Sequence, residues 1–304
     1  MNKKLLSFAS AVFIGTISAF STQALAADTM EKIKNTGTVN LGVRESSGLA
    51  YSLGKDKYVG FHTEMAERIV DDLSKDVGKK LTIKYQPITS ENRIPLVQNG
   101  TIDFECGSTT NNKTRAKQAD FANTTYVEEV RVAVKKDSGI KTIADLKDKT
   151  VATTTGTTSV TTLRKKSRTL DMDFKEINGK DHSDSFLLLE SGRADAFIMD
   201  GSILAVNIAK SQNPDQYVML DEVLSVEPIA CMLRLDDENL KNAINKSIER
   251  QIKDGSLEQL YNKWFMQPIP PTGVVVNLPL SKSTREAWDN PNAKPMEDYE
   301  ENKN

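Results

Sequence analysis

The sequence predicts an α/β protein, because strand patterns and helix patterns alternate along both halves of the chain. Residues 38–45, TVNLGVRE, are typical of a strand. An amphipathic helix follows, with apolar residues at every fourth position from Phe61 to Leu73. The second half of the chain repeats this order of strand and helix.

Two further strands and a helix complete the pattern in the first half. Residues 80–88, KLTIKYQPI, alternate between apolar and polar and predict a strand. A helix is predicted to begin at Ser90, a candidate N-cap, and to end at Gly100. Pro95 makes this helix short or kinked. Residues 101–106, TIDFEC, predict the next strand.

The second half contains two similar units. Residues 141–166 predict a short helix, a β-branched strand, a glycine and the start of another helix. Residues 181–200 predict a helix, a glycine stop and a strand. In each half a glycine lies three residues before an aspartate, at Gly100 and at Gly192. This similarity fits two lobes built to one plan, although the pattern is too generic to establish a duplication.

The C-terminal part is helical and then polar. Residues 237–265 predict two helices separated at Asp254 and Gly255. The tail from Pro268 onward is proline-rich, then polar and acidic. We expect extended or disordered forms at its end, and a role in wrapping or solvating the fold rather than in chemistry.

Length and charge narrow the classes of function. The 304 residues are enough for two domains and a sizeable core. With 38% hydrophobic and 27% charged residues, the chain is typical of a soluble globular protein. The net charge of −2, without a basic block, argues against nucleic-acid binding and against a polybasic membrane patch.

The N-terminus is typical of a signal peptide over residues 1–26. A positive MNKK, an apolar core and the small-residue ALA at 24–26 predict cleavage after Ala26. A membrane anchor is the alternative, but the apolar run is short for a span and is interrupted by serine and glycine. No cysteine lies at the cleavage site, so no lipid anchor is predicted. We therefore expect an exported protein.

The chain has two cysteines, Cys106 and Cys231. An even count in an oxidising compartment favours a disulfide between them. Two buried thiols are the alternative.

Polar residues follow four of the predicted strands. Arg44 ends the first strand, and a Gly-Ser-Thr-Thr segment at 107–110 follows the strand that ends at residue 106. A Gly-Thr-Thr-Ser segment at 156–159 opens a helix, and Asp200 ends the last of these strands. Because ligands of open α/β sheets bind where strands deliver their carboxyl ends, these groups predict a polar cleft.

The chemistry of these groups fits an α-amino acid. A guanidinium such as that of Arg44 binds a carboxylate in a bidentate manner. The helix start at 156–159 offers free N–H groups to an anion, and Asp200 suits an ammonium group. Each group also has a simpler interpretation: a surface arginine, a plain turn, a helix cap, and a capping or solvated His182.

Signatures of catalysis are missing from the sequence. The two histidines, His62 and His182, lack metal-ligand spacing. The chain has no nucleophile elbow, no phosphate-binding loop and no Gly-x-Gly-x-x-Gly. We therefore predict no enzyme activity, no catalytic residue, no metal and no cofactor.

Several motifs, in order along nearly the whole mature chain, resemble the family-3 solute-binding proteins of amino-acid ABC transporters, and most closely their glutamate/aspartate-binding branch. The matching segments are VRESS, YVGF, ITSENRIPLVQNGTIDFECGSTTNN, DLKDKTVATTTGTTS, KDHSDSFLLLESGRADAFIMD, CMLR and YNKWFMQPIPP. The long central segment is highly specific, whereas YVGF alone would be weak.

The resemblance implies a periplasmic-binding-protein clamshell of type II, in which two α/β lobes are joined by two crossover strands. Lobe 1 would comprise 27–127 plus 229–304, and lobe 2 would comprise 131–224. The hinge strands would be 128–130 and 225–228. Both cysteines would then lie in lobe 1 near the hinge.

The resemblance also implies roles for nine residues. Arg93 would hold the α-carboxylate, helped by Ser108, Thr110 and the Thr157 and Thr158 amides. Asp200 would take the α-ammonium. Arg44, Ser90 and His182 would read a side-chain carboxylate.

The pair Arg44 and Arg93 favours a dicarboxylic ligand, because a second buried arginine without a second carboxylate would be an unpaired charge. One departure concerns the aromatic wall of the branch, a Pro-Phe pair after ESS. The chain has GLAYS there, so either Tyr51 substitutes for the pair or the wall is thinner.

The implied function is a periplasmic receptor, a monomer, that closes over L-glutamate or L-aspartate and delivers it to a membrane permease. One alternative is an amino-acid sensor partner. Another is a dehydratase-type enzyme on the same fold, for which Glu105 and His182 would be the candidate acids.

Overall fold

The computed structural model describes residues 28–299. The predicted signal peptide, 1–26, lies outside the described residues. The helices are α1 (Thr29–Thr36), α2 (Phe61–Asp76), α3 (Arg93–Gln98), α4 (Thr158–Thr169), α5 (His182–Glu190), α6 (Gly201–Lys210), α7 (Glu238–Lys253), α8 (Ser256–Phe265) and α9 (Lys282–Asp289). The strands are β1 (Thr38–Arg44), β2 (Tyr51–Ser52), β3 (Tyr58–Val59), β4 (Thr82–Ile88), β5 (Phe104–Glu105), β6 (Asp120–Lys135), β7 (Thr150–Thr154), β8 (Lys175–Gly179), β9 (Ala196–Asp200), β10 (Tyr217–Met219), β11 (Ser225–Leu233), β12 (Pro268–Ile269) and β13 (Val274–Val275). The α/β class predicted from the sequence is confirmed.

One large sheet organises the molecule, with the strand order β4-β1-β5-β11-β6-β9-β7-β8. Its two central strands, β6 and β11, pair antiparallel with each other. On one side lies the β1 half, which consists of β4, β1 and β5. On the other side lies the β7 half, which consists of β9, β7 and β8, together with β10 paired to β6.

The parallel pairs in each half follow from the helices between them. Strands β1 and β4 are parallel and are connected through α2, and β7 and β8 are parallel and are connected through α4. A parallel pair requires such a crossover, whereas an antiparallel pair can be joined by a short turn. The carboxyl ends of these strands therefore face the same edge of each half.

Helix α2 supplies much of the core of the β1 half. Phe61, Met65, Ile69 and Leu73 are all buried, which confirms the predicted amphipathic face. They belong to a hydrophobic cluster that also contains residues of β1, β5, α7 and α8. The β7 half has its own apolar clusters on the two faces of its sheet. Each half therefore has a separate core.

The structure corrects the predicted start of α3. This helix begins at Arg93 with Asn92 as its N-cap, so the prediction that Ser90 caps it was wrong. The side chain of Ser90 instead accepts a hydrogen bond from Arg44. The helix is short, as Pro95 predicts, and it ends before Gly100, which adopts a positive φ of 75°.

The C-terminal elements are more ordered than the sequence indicates. The predicted break between two helices is confirmed, since α7 and α8 are separated at Asp254 and Gly255. The tail contains α9, which packs against β6. Trp288 of α9 is buried, and its Nε1 donates to the carbonyl of Thr125 at 2.9 Å.

Cys106 and Cys231 form the predicted disulfide, which joins the end of β5 to β11. Within residues 28–299, no helix is both long and apolar enough to cross a membrane.

Candidate ligand-binding site

A small cleft lies between the β1 half and the β7 half, beside the carboxyl ends of β5, β7 and β9. The space between its lining atoms, including the part open to solvent, is about 170 Å³. The lining residues are Ser90, Arg93, Ser108, Thr110, Thr157, Thr158, His182, Met199 and Asp200. The strand ends thus gather polar side chains at one place, as the sheet topology requires.

Arg93 is the first residue of α3, and its side chain is buried. Its Nη1 donates to the carbonyl of Ser108 at 3.0 Å and to Thr109 Oγ1 at 2.6 Å. Thr109 in turn donates to the carboxylate of Glu105. Burial holds the pKa of Arg93 well below its usual value, and the nearby Arg115 acts in the same direction. The Nε–H of Arg93 has no hydrogen-bond partner among the described residues.

Arg44 is the last residue of β1 and is fully buried. Its Nη1 donates to Ser90 Oγ at 3.1 Å. Its Nη2 donates to Asp181 Oδ1 at 2.8 Å and lies 2.9 Å from His182 Nε2. Asp181 and His182 belong to the β7 half, so Arg44 connects the two halves. Its Nε–H, like that of Arg93, has no partner among the described residues.

His182 is a neutral imidazole in this arrangement. Burial lowers its pKa well below the usual value, and the charge of Arg44 lowers it further. Its Nε2 therefore accepts from Arg44, and its Nδ1, 3.1 Å from Thr154 Oγ1, carries the proton. His182 opens α5, for which Asp181 is the N-cap.

Two glycines allow the backbone to approach the cleft closely. A Cβ at Gly107 would lie 2.8 Å from Cγ of Arg44, so no side chain fits beside the guanidinium stem. Gly156 has a φ of +78°, and a Cβ there would lie 2.8 Å from Cα of Glu91, in the opposite half. At Gly156 the two halves therefore meet backbone to backbone, whereas Gly107 leaves room for the Arg44 side chain within its own half.

The start of α4 brings a second set of groups. Thr157 is the N-cap position, and its hydroxyl donates to the carbonyl of Thr154 at 2.8 Å. Thr158 is the first helical residue, and its hydroxyl donates to Glu227 Oε2 at 2.6 Å. Thr110, in the opposite half, donates to the same oxygen at 2.6 Å. The first backbone N–H groups of α4 have no partner within the helix, which makes them available to an anion.

Asp200 ends β9 and is buried. Burial and the charge of Glu227 raise the pKa of its carboxyl, Arg93, Arg115 and Arg44 lower it, and the result is a pKa of about 7. Its Oδ1 has no hydrogen-bond partner among the described residues. An uncompensated carboxylate oxygen at this depth is costly, and a cationic ligand would remove that cost.

The sequence-predicted residues come together with one exception. All predicted ligand-binding residues except Arg44 line the cleft. Arg44 lies directly behind Ser90 and His182, to which it is hydrogen-bonded. It can therefore act on a ligand together with these two side chains.

Two aromatic or imidazole side chains considered in the sequence do not line the cleft. His62 is buried near the start of α2, with Nδ1 2.6 Å from the carbonyl of Gly107. Tyr51 donates its hydroxyl proton to the carbonyl of Pro270, and Lys210 Nζ lies 3.2 Å from the centre of its ring. Tyr51 is therefore not a wall of this cleft.

Sequence reasoning missed three charged residues of the site. Glu227 lies in β11 within the otherwise apolar VEPIAC, and a lone carboxylate in such a strand is a usable signal. Arg115 is buried and donates to the carbonyls of Thr110 at 3.0 Å and Gly156 at 3.2 Å, which again links the two halves. Asp181, the partner of Arg44, gave no signal beyond that of a helix N-cap.

The unpaired polar atoms define what the site can hold. Two guanidinium N–H groups and one carboxylate oxygen are buried in and around the cleft without partners among the described residues. These groups are complementary to a small molecule that carries carboxylate and ammonium groups. Across residues 28–299, no cluster of three or more histidine, cysteine, aspartate or glutamate side chains is placed to hold a metal ion.

Comparison with known proteins identifies the family. Residues 39–267 match the bacterial extracellular solute-binding proteins, family 3. The chain belongs to this family. The match covers both central strands and both halves of the sheet, so the cleft is part of the region that defines the family.

Individual relatives agree with this assignment. The chain is 42% identical to the glutamate/aspartate import solute-binding protein of Escherichia coli (strain K12), over 94% of this chain and 95% of that protein. It is 40% identical to the L-glutamate/L-aspartate-binding protein of Pseudomonas aeruginosa, over 88% of this chain and 90% of that one. Among solved structures, a mutant of ArgBP from T. maritima is 27% identical, with a TM-score of 0.69. The match covers 78% of this chain and 99% of that chain.

Proposed function

We propose that this protein is a periplasmic receptor that captures L-glutamate or L-aspartate and delivers it to the membrane permease of an ABC transporter. The observation that carries the proposal is the set of unpaired buried atoms: the Nε–H groups of Arg44 and Arg93, and Oδ1 of Asp200. Relatives that are 40–42% identical and are named for glutamate and aspartate binding support the same ligand.

We propose that the β1 half and the β7 half belong to two lobes that close on the ligand. Lobe 1 comprises 27–127 plus 229–304, lobe 2 comprises 131–224, and 128–130 and 225–228 form the hinge. The separate hydrophobic clusters of the two halves support this division. The bond from Arg44 to Asp181 then belongs to the closed form.

In the proposed complex Arg93 binds the α-carboxylate, together with Ser108 and the backbone N–H groups of Thr157 and Thr158. The Thr157 N–H donates to the carbonyl of Thr154 at 3.3 Å in this structure and would turn from that long bond to the ligand. Asp200 binds the α-ammonium. Closure excludes water, so these charge-assisted hydrogen bonds strengthen as the local dielectric falls.

The side-chain carboxylate is bound by Arg44 and Ser90, and His182, whose Nε2 accepts from Arg44, orients that guanidinium. The position of Arg44 supports this assignment, because it lies against both of the cleft-lining partners. Breaking the closed form returns these groups to water, which is how a permease that separates the lobes would release the ligand. No covalent step and no cofactor are required, and we propose that the receptor acts as a monomer.

Calorimetric titration of the mature protein, residues 27–304, tests the proposal. The protein is first freed of ligand by unfolding and refolding with the disulfide kept oxidised. It is then titrated with L-glutamate, L-aspartate, L-glutamine and L-arginine. We expect tight one-to-one binding of the two acids, and no measurable binding of any ligand by Arg93→Ala.

Arg44→Ala should lose about 100-fold or more in affinity for L-glutamate and much less for L-glutamine, because Arg44 contacts only the second carboxylate. The control is Arg164→Ala, which removes a surface arginine paired with Glu176 outside the cleft. Equal affinity of the wild type for L-glutamine and L-glutamate would show that Arg44 does not read the side chain. No measurable binding of any of the four ligands by the wild type would overturn the proposed function.

A further inference from the structure

We propose that Glu227 is a positioning residue that turns the hydroxyls of Thr110 and Thr158 into acceptors for the ligand ammonium. The proposal rests on the function proposed above. It adds to Asp200 the two other groups that read the ammonium, and it names the buried carboxylate that directs them.

Three side-chain hydroxyl groups hold the carboxylate of Glu227 by hydrogen bonds. The residue lies in β11 and is fully buried. Its Oε2 accepts from both threonine hydroxyls at 2.6 Å, and its Oε1 accepts from Ser225 Oγ at 2.8 Å. The oxygens of Thr110 and Thr158 are 3.4 Å apart, and both residues line the cleft. One small cationic group can therefore contact both oxygens at once.

The direction of the hydroxyl protons follows from this geometry. A threonine hydroxyl has one proton to donate and two lone pairs to accept with. An ionised carboxylate can only accept hydrogen bonds, so the hydroxyls of Thr110 and Thr158 both donate to Glu227. What they can offer to the cleft is therefore lone pairs, which attract an N–H donor and repel a carboxylate.

Asp200 completes the arrangement. Its Oδ1 is buried without a partner among the described residues, and it lines the same cleft. Together with the two threonine oxygens it gives three acceptors, and an ammonium group has three N–H donors. This match changes one expectation from the sequence, in which Thr110 assists Arg93 with the α-carboxylate.

The arrangement also couples ammonium recognition to closure. Thr110 follows β5 of the β1 half, whereas Thr158 opens α4 of the β7 half. Glu227 lies on a central strand between them and holds both only when the halves meet. Arg115 lies near enough to interact electrostatically with Glu227, and it bonds to backbone on both sides of the cleft. The carboxylate thus has a fixed positive neighbour.

Glu227→Gln tests the inference, since an amide keeps the shape but has only one acceptor oxygen. That oxygen is uncharged and accepts more weakly than a carboxylate oxygen, so the threonine hydroxyls are held less firmly and can turn their protons toward the cleft. We expect the Kd for L-glutamate to rise about 10- to 100-fold, the usual range for a lost hydrogen bond to a charged group. The Kd for glutarate, which lacks the ammonium, should change by less than about threefold, because its two carboxylates are held elsewhere.

A second readout needs only L-glutamate. If Glu227 acts through Thr110, the losses in Glu227→Gln and Thr110→Val are not additive in the double variant. Should Glu227→Gln fail to fold, Thr110→Val and Thr158→Val test the same acceptors, and each should weaken L-glutamate binding about tenfold. Ser225→Ala is the matched control, since it removes a bond to Glu227 without touching the cleft.

The outcomes separate the two proposals. If the wild-type protein does not bind L-glutamate, both the proposed function and this inference are overturned. Wild-type binding that is unchanged in Glu227→Gln overturns the inference alone. A variant that loses L-glutamate and glutarate equally, or additive losses in the double variant, would show a general structural role and would also overturn it.

Discussion

Arg44 donates from Nη2 to Asp181 Oδ1 at 2.8 Å, and this ion pair connects the β1 half to the β7 half across the cleft. The Arg44 side chain is fully buried, and Asp181 is the carboxylate bonded to it. Burial acts to raise the pKa of Asp181, but the charge of Arg44 and the hydrogen bonds from Ser46 and from the His182 backbone N–H outweigh it and lower that pKa. In the closed form without a ligand, Asp181 is therefore the residue that neutralises Arg44.

Asp181→Asn should destabilise the closed form without ligand more than the complex. The amide keeps the N-cap of α5 but leaves Arg44 as an uncompensated buried charge, which costs about 3 kcal/mol. A bound dicarboxylate would supply the missing charge. We expect thermal unfolding to show a lower Tm without ligand and a larger ligand-induced rise than in the wild type. Equal losses with and without L-glutamate would contradict this account.

Asp184→Asn is the control for that comparison. Asp184 lies in the first turn of the same helix and is exposed, and no salt bridge joins it to Arg44 among the described residues. Its replacement removes one negative charge from α5 and should leave the ligand-induced rise unchanged.

Ligand binding should release a proton from Asp200. Its pKa of about 7 in the ligand-free site means that much of it is protonated below that pH. A ligand ammonium favours the charged carboxylate and lowers the pKa, so the proton leaves on binding. Affinity should rise as the pH increases toward 7 and level off above it. Titration in buffers of different ionisation enthalpy measures the released proton at pH 6 and should find almost none at pH 8.5.

Neighbouring groups set the controls for this measurement. Glu128, Glu227 and the nearby arginines act on Asp200, and burial also raises the pKa of Glu128. Glu128→Gln therefore separates the two carboxyls: proton release that persists in this variant belongs to Asp200. Release that disappears with Glu128, or that is as large with glutarate as with L-glutamate, would refute the assignment.

Much of this site could be predicted from local sequence because strand ends must meet at one edge. The amphipathic spacing from Phe61 to Leu73 fixes how α2 packs, and the rule for strand ends places Thr110 and Asp200 at one cleft. These predictions depend on short stretches of chain and on the class of fold.

The rest depends on tertiary pairing that no local pattern contains. Ser90 has the chemistry of an N-cap, but its hydroxyl accepts from Arg44, and Asn92 occupies the N-cap position of α3 without a capping bond from its side chain. Glu227 acquires its role only because β11 lies beside β6 between the two halves. Helix α9 is short and polar, and it is ordered because Trp288 packs against β6.

The two histidines should remain neutral well below their usual pKa. Burial lowers the pKa of His62 to about 4, although the carbonyl of Gly107 acts to raise it, and burial and Arg44 lower that of His182. The chain has no other histidine, so an NMR titration of the imidazole signals is unambiguous. We expect neither signal to titrate near pH 6.5 in the folded protein.

The lowered pKa of His62 predicts how the free energy of unfolding depends on pH. The unfolded chain takes up a proton on each histidine as the pH falls below 6.5, whereas folded His62 does so only near pH 4. The free energy of unfolding should therefore fall between pH 6.5 and 4, by up to about 3 kcal/mol for His62. His62→Gln should show a shallower fall in this window. An equally steep fall in that variant would assign the effect to other groups.

Trp288 should be essential for stability although it lies beyond the region 39–267 that matches the family. Its ring is buried, packs edge-on to Tyr261 and donates to the carbonyl of Thr125 in β6. Trp288→Ala removes this packing and the hydrogen bond to that carbonyl, so we expect a loss of about 3–5 kcal/mol in urea unfolding. Trp288→Phe should lose less, since it keeps an aromatic ring. The control is Leu187→Ala, an apolar side chain that is exposed and should change stability by less than about 0.5 kcal/mol. A Trp288→Ala variant as stable as this control would show that the tail only covers the fold and does not hold it together.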